Sequence, residues 1–250
     1  MKNTTIILIG LKTIPLVHPG DDLSTLIINA AQNEGVQIDD GDVVLIAQKV
    51  VSKAEGALVD LSTVTASAEA KALAAQTGRD ERFCQVVLDE SERVVEIKGR
   101  VIVTNHRLGF RCTSAGVDKS NIEGGGTRFV TTLPQDPDAS AVAIRTRLLS
   151  ILNPREVAVI ITDTFGRPDR LGSVGLAIGC AGLAPMACSS GRDLFGNPST
   201  PEIARADELA SAASLLMGQG DERIPVVIAK GAFYVKSSTG KLLDMLIYDH

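Results

Sequence analysis

Six short apolar runs, at residues 5–9, 43–46, 94–97, 101–104, 157–162 and 225–229, set the tightest limit on what this 250-residue chain can fold into. Each is bounded by turn residues and is too short for an ordinary helix, which suits a buried or half-buried strand. Helical patterns lie between them: residues 23–31 behind Asp21 and Asp22, an alanine-rich stretch at 66–76 closed by Gly78, then 81–88, 139–151 and 203–217. The alternation is irregular, and the runs at 94–97 and 101–104 read as a hairpin about Lys98 and Gly99. That argues against a fully parallel, doubly wound sheet, so the expected class is α+β with a mixed α/β sheet. Residues 122–127 and 134–138 read as loops rather than linkers, and no internal repeat is present. A single unit over residues 1–250, divisible into two subdomains, is expected.

The formal net charge of −5, the absence of Trp and the presence of only two Tyr leave no basic, aromatic surface for nucleic acid. No apolar run approaches the ~20 residues that span a membrane. The opening "MKNTTIILIG" has four consecutive apolar residues before its glycine and does not resemble a leader, and Cys84, Cys112, Cys180 and Cys188 lack CxxC spacing. The expectation is a cytoplasmic protein with reduced thiols.

Four stretches carry candidate chemistry. In "VAVIITDTFGRPDRLG" (157–172) an apolar run passes into Asp163 and Thr164 and then Arg167 and Arg170. A carboxylate at the end of a buried strand costs several kcal/mol unless a positive group meets it. The stretch therefore asks for a cation, or else contains an Asp–Arg surface pair. In "TSAGVDKSN" (113–121), Asp118 and Asn121 offer hard oxygens to Mg²⁺ or Mn²⁺ or a contact to a nucleotide, and equally suit a plain turn. "LLMGQGDERIPVV" (215–227) brackets Gln219 with Gly218 and Gly220, which permits close backbone approach to a ligand and also makes an ordinary helix stop. In "IAQKVVSKAEG" (46–56), Lys49 and Lys53 are four apart and share a face if the segment is helical, as phosphate-neutralising charges or as solvated lysines. The Walker A pattern is absent. His18, His106 and His250 have no partner spacing, and Cys112 reads as a small buried thiol.

Taken in order and at their spacing, "GLKTIPLVHPGDDL", "GDVVLIAQKVVSKAEG", "AGVDKSN", "VIITDTFGRPDRLG", "AIGCAGLAP", "GRDLFGN" and "LLMGQGDERIP" resemble the coenzyme F420-0:L-glutamate ligases, the gamma-glutamyl ligase family. The resemblance implies a GTP-dependent amide-forming ligase that uses Mg²⁺ or Mn²⁺, two ions per site with K⁺ as a further ion, in an intertwined homodimer. Its substrates would be GTP, L-glutamate and the deazaflavin coenzyme F420-0. Asp118 and Asp163 become the catalytic candidates, with Asp118, Asp163, Thr164 and Gln219 around the metals. Nucleotide contacts would come from Ile14, Pro15, Leu16 and Val17, from Ala47, Gln48 and Lys53, and from Asn121. The segment Met217, Gly218, Gln219, Gly220, Asp221, Glu222, Arg223 and Ile224 would complete them. Asp169 receives no role. No fused nitroreductase-like domain is expected. Two other readings use the same carboxylates: a metal-dependent kinase or phosphatase, and a non-catalytic nucleotide sensor.

Overall fold

A computed structural model describes residues 4–122, 127–152, 156–167, 170–188 and 191–246. In chain order the first half runs β1 (Ile7–Leu11), α1 (Leu23–Asn33), β2 (Val43–Ala47), α2 (Gln48–Ala54), β3 (Leu58–Asp60), α3 (Ala68–Thr77), α4 (Glu81–Asp89), β4 (Ser91–Lys98), β5 (Val101–His106), β6 (Arg111–Thr113) and β7 (Phe129–Thr131). The second half runs α5 (Pro137–Leu152), β8 (Ala158–Arg167), β9 (Arg170–Leu183), β10 (Met186–Cys188), β11 (Gly191–Arg192), β12 (Pro198–Ser199), β13 (Glu202–Ala204), α6 (Arg205–Met217), β14 (Val226–Lys230) and β15 (Lys236–Ser237).

The main sheet has the order β1-β14-β2-β8-β9-β15, in which only β2 and β8 are parallel neighbours. The expected mixed sheet and α+β class are therefore found. Val43, Val44, Leu45 and Ile46 are fully buried, as are Val159, Ile160 and Ile161. A central strand covered on both faces must be apolar at every position, which is why these segments read as runs instead of alternations. Helices α1, α5 and α6 supply the cover. Asp22 starts α1 by accepting from the Thr25 backbone N–H at 3.2 Å, and Leu23, Ile27, Ile28 and Ala31 turn inward.

A smaller apolar cluster forms around Phe83, Leu73, Leu61, Ile102, Val117 and Val130, from α3, α4, the β4-β5-β6 sheet and β7. The hairpin about Gly99 is present as β4–β5. Gly78, at φ 63°, ends α3 in the left-handed conformation.

Beyond shifts of a few residues at strand and helix ends, four departures from expectation shape the fold. Strand β8 runs past Asp163 to Arg167, so Asp163 is inside a strand instead of at its end. What ends near it is β2, whose last residue Ala47 lies opposite Thr162, while antiparallel pairing with β9 carries β8 onward. Strand β9 has no counterpart among the expected runs because it is built with glycines. A Cβ at Gly175 would lie 2.6 Å from the Ala210 carbonyl oxygen, and one at Gly179 would strike Pro137, so α6 and α5 sit close enough to exclude side chains there. Helix α6 begins at Arg205 because Glu202–Ala204 pairs with β10. Pro137 belongs to the first turn of α5, where its missing N–H costs nothing. Residues 123–126, within the glycine-rich loop, and Asp169 and His250 lie outside the described residues.

Candidate functional site

The carboxyl ends of β1, β2 and the parallel part of β8 come to one end of the main sheet, together with the segment that leads into β14. Leu11 pairs with Val226, Ala47 pairs with Thr162, and the Ala47 N–H donates to the Pro225 carbonyl at 2.8 Å. Four of the singled-out stretches thereby converge.

Helix α2 starts directly after β2 and presents Lys49 and Lys53 on one face, as their spacing requires. Lys49 Nζ donates to Asp118 Oδ2 at 2.5 Å and to the Ser120 hydroxyl at 2.5 Å, and Lys53 Nζ donates to the Asn121 carbonyl at 2.6 Å. Asn121 sits at φ 54°, and its amide reaches the Gly220 carbonyl at 3.3 Å. The Gln219 amide donates to Thr164 Oγ1 at 2.9 Å. Contacts thus link α2, the 118–121 turn, β8 and the 217–224 segment.

Asp118 is tied down through its backbone, which exchanges two hydrogen bonds with Thr131, at 3.0 and 2.9 Å. Burial pushes its carboxyl upward, but Lys49 and the Ser120 N–H outweigh that and hold it below the ordinary carboxylate range. Asp163 goes the other way. Burial pushes it up to about 6; the Thr164 N–H, Lys49 and Gln48 pull it down, while the charge of Asp118 adds to the rise. Two carboxylates in one field, the proton affinity of Asp163 raised in part by the charge of Asp118, make a site short of positive charge.

Asp118, Asp163, Thr164 and Gln48 line one cleft of about 330 Å³ together with Thr113, Gly116, Phe165, Phe83, Arg79 and Lys119. The oxygens of Asp118, Asp163, Thr164 and Gln219 are hard donors of the kind that Mg²⁺ and Mn²⁺ take. Among the described residues Lys49 is the one side chain that answers Asp118 with a full charge, and the donor set fits a divalent cation.

Met217 ends α6, and Gly218, at φ 67°, leaves no room for a Cβ because the Glu222 carboxylate packs on it. Glu222 also accepts from the Gly220 N–H at 2.8 Å, which folds the segment back on itself. Asp221 and Arg223 are exposed at its edge, with Arg223 at φ 57°. Ile224 packs on Gly10 of β1, whose following loop holds Ile14 half-buried and Val17 buried while Pro15 and Leu16 are exposed. Ala47 precedes α2, and the buried Gln48 accepts from Ser52 at 2.8 Å.

Arg167 and Arg170 take no part. Among the described residues neither pairs with Asp163, and Arg167 donates to the Leu171 carbonyl within its own hairpin at 3.2 Å. Lys49 is the residue whose weight the sequence understated, since only the fold brings Asp118 to it across 69 residues. Cys112 is buried and its thiol is pushed up to about 12 by that burial, as a structural thiol should be.

The family model described as F420-0:Gamma-glutamyl ligase matches residues 10–231, which includes every one of these side chains. The chain belongs to that family. Among its relatives in the family are the coenzyme F420:L-glutamate ligases of Methanothermobacter thermautotrophicus, 46% identical over 226 residues (90% of this chain and 88% of the relative), and of Methanopyrus kandleri, 46% identical over 226 residues (88% and 86%). The coenzyme F420:L-glutamate ligase of Methanocaldococcus jannaschii is 44% identical over 211 residues, covering 84% of this chain and 82% of its own. No helix among the described residues is long and apolar enough to cross a membrane.

Proposed function

We infer that this protein is a coenzyme F420:L-glutamate ligase, which joins L-glutamate to the terminal carboxylate of coenzyme F420-0 with GTP as the energy source, and then adds a second glutamate through the γ-carboxylate of the first. One observation carries the reading. Residues from four separate segments of a chain in the F420-0:gamma-glutamyl ligase family meet in one constellation of two carboxylates, two lysines, two hydroxyls and two amides.

The chemistry is phosphoryl transfer followed by acyl transfer. The acceptor carboxylate attacks the γ-phosphorus of GTP, GDP leaves, and the acyl phosphate forms; the glutamate amine then attacks the carbonyl carbon, phosphate leaves, and the amine gives up a proton. Asp118, Asp163, Thr164 and Gln219 would hold the Mg²⁺ or Mn²⁺ ions, which when bound neutralise phosphate oxygens and orient the nucleotide. Lys49 and Lys53 place compact charges on the same side, suited to phosphate. Asn121, the 14–17 loop, Ala47, Gln48 and the 217–224 segment would surround the nucleotide. K⁺ would be a further ion at the same anionic end.

The chain would act as one unit built from two subdomains, around its larger and smaller cores, and as a homodimer. Leu171, Leu194 and Phe195 are 99%, 100% and 91% exposed on projecting hairpins, an unusual surface for large apolar side chains and a natural one for a second copy to cover.

Mass spectrometry of a reaction containing deazaflavin acceptor, GTP, Mn²⁺ and L-glutamate tests the activity. Addition of one and then two glutamyl groups is expected. Phosphorylated acceptor without amide would favour a kinase, and nucleotide binding without turnover a sensor. GTP should exceed ATP by at least about tenfold in kcat/KM, because a buried donor or acceptor left unpaired by the wrong purine costs ~1–3 kcal/mol. Equal efficiency would remove the guanine-specific pocket and leave the ligase chemistry standing.

A further inference from the structure

The cleft that holds Asp118 and Asp163 has a second, oppositely charged end, formed by the smaller core. Arg79 lies over the face of Phe83 with its guanidinium carbon 5.0 Å from the ring centre, and Lys119 Nζ lies 4.6 Å from the same centre. Both side chains are half-buried. Neither forms an ion pair among the described residues. The neighbouring carboxylate, Asp80, is taken already: Arg82 holds it at 3.1 and 2.8 Å, and it caps α4 through the Arg82 N–H at 2.8 Å. Arg79 spends its Nε on the Arg100 carbonyl at 2.7 Å, which leaves the two terminal nitrogens of the fork for another group.

The backbone around these cations is held in place at some cost. Ser114, Ala115 and Gly116 follow one another at φ 50°, 49° and 65°, all left-handed, and the Ala115 N–H is fixed by Thr104 Oγ1 at 3.0 Å. Strain of this kind survives where the surroundings over-determine it, and it collects at ligand sites. It leads into Asp118 and Lys119, whose side chains make contacts on opposite sides of the chain: Asp118 with Lys49, Lys119 with Phe83. One step along the backbone thus separates the anionic end of the cleft from the cationic end.

The cationic end takes a carboxylate, and the Asp118–Asp163 end, taken up by metal and phosphate in the ligase reading, is where the acyl phosphate would form, so the amine of a ligand held by its carboxylate has to point there. The volume of about 330 Å³ is at the small end of the roughly 300–1,000 Å³ of ligand pockets, which suits an amino acid better than a whole deazaflavin. We propose that Arg79 and Lys119, held on the face of Phe83, form the subsite that binds a carboxylate of the incoming L-glutamate and so aims its amino group at the Asp118–Asp163 end. The assignment rests on the ligase reading and adds to it the residues that choose the amino acid.

Arg79→Gln and Lys119→Gln in the full chain test it, since Gln keeps part of the stem on Phe83 and removes the charge. The KM for L-glutamate should rise about 10- to 100-fold, the loss expected for a charge-assisted hydrogen bond. Half-saturation by GTP and by Mn²⁺ should stay within about twofold, and Lys119→Arg, which keeps the charge but changes its shape, should raise the glutamate KM less than Lys119→Gln does. Unchanged glutamate KM in both Gln variants overturns the proposal. So does a rise confined to the deazaflavin KM, which would assign the two cations to an anionic group of the acceptor. Should Arg79→Gln fail to fold, with its bond to Arg100 gone, Lys119→Gln decides alone. If the wild-type protein makes no glutamylated product, the ligase reading has failed; calorimetric titration of L-glutamate into wild-type and variant protein with GDP and Mn²⁺ then settles the subsite separately, with weaker binding in the variants expected and equal binding refuting it.

Discussion

Asp163→Asn should make the metal-free protein more stable while it abolishes ligation. The Asp163 carboxyl titrates at about 6 in the folded protein against an ordinary 3.8, because burial disfavours its charged form and Asp118 adds repulsion. A carboxyl raised in the folded state costs stability wherever it is ionised. The cost is absent below about pH 4, grows between about pH 4 and 6, and is complete above that. Two pKa steps at ~1.4 kcal/mol each bound it at about 3 kcal/mol. The side chain also faces the cleft, and solvent screening there reduces the figure to about 1–2 kcal/mol. In a chain of this size that is a rise of roughly 2–8 °C in Tm. Asn preserves the volume and still accepts from the Thr164 N–H. Calorimetric melts of both proteins without metal, at pH 8 and at pH 4, measure it: the variant should melt higher at pH 8 and level with wild type at pH 4. Added Mn²⁺ should raise the wild-type Tm and leave the variant nearly unmoved, since ligand binding stabilises only a state that binds it. A variant that melts lower at pH 8, or whose advantage persists at pH 4, would refute the electrostatic account. Retained ligation at saturating Mn²⁺ would refute the role of Asp163 as a metal ligand.

Three further outcomes follow from particular contacts. Gln219→Ala should reduce ligation partially and recover with added Mn²⁺, because a neutral donor beside Thr164 contributes less than either aspartate; full activity at limiting Mn²⁺ would count against its role. Gly116→Ala should destabilise the protein by about 2–4 kcal/mol in urea unfolding, as φ 65° disfavours a side chain and the new Cβ would stand 2.6 Å from Leu133. Cys112 should resist alkylation in the native protein at pH 8, its thiol lying near 12, and become reactive once the chain unfolds; native modification would place it in an open site.

The local sequence was sufficient for elements whose cause is local. Central strands announced themselves because they are covered on both faces, and helix limits followed from Asp22 and Gly78, which act on their own neighbours; the caps at Ser67 and Asp80 appear only in the structure. The family could be read from seven motifs in order. Strand β9 was hidden because its glycines answer to helices packed from far along the chain. The continuation of β8 past Asp163 was hidden for a related reason: the β2 partner stops there, but β9 does not. Lys49 and Lys53 carry no mark that separates a partnered lysine from a solvated one; the distinction comes from Asp118 and Asn121, delivered by a turn about 70 residues away. The same holds for Arg79 and Lys119. Charge and spacing are properties of the sequence, but whether a charge has a partner depends on which surfaces the tertiary fold brings into contact, and only there did a set of ordinary polar residues become a cleft with one anionic and one cationic end.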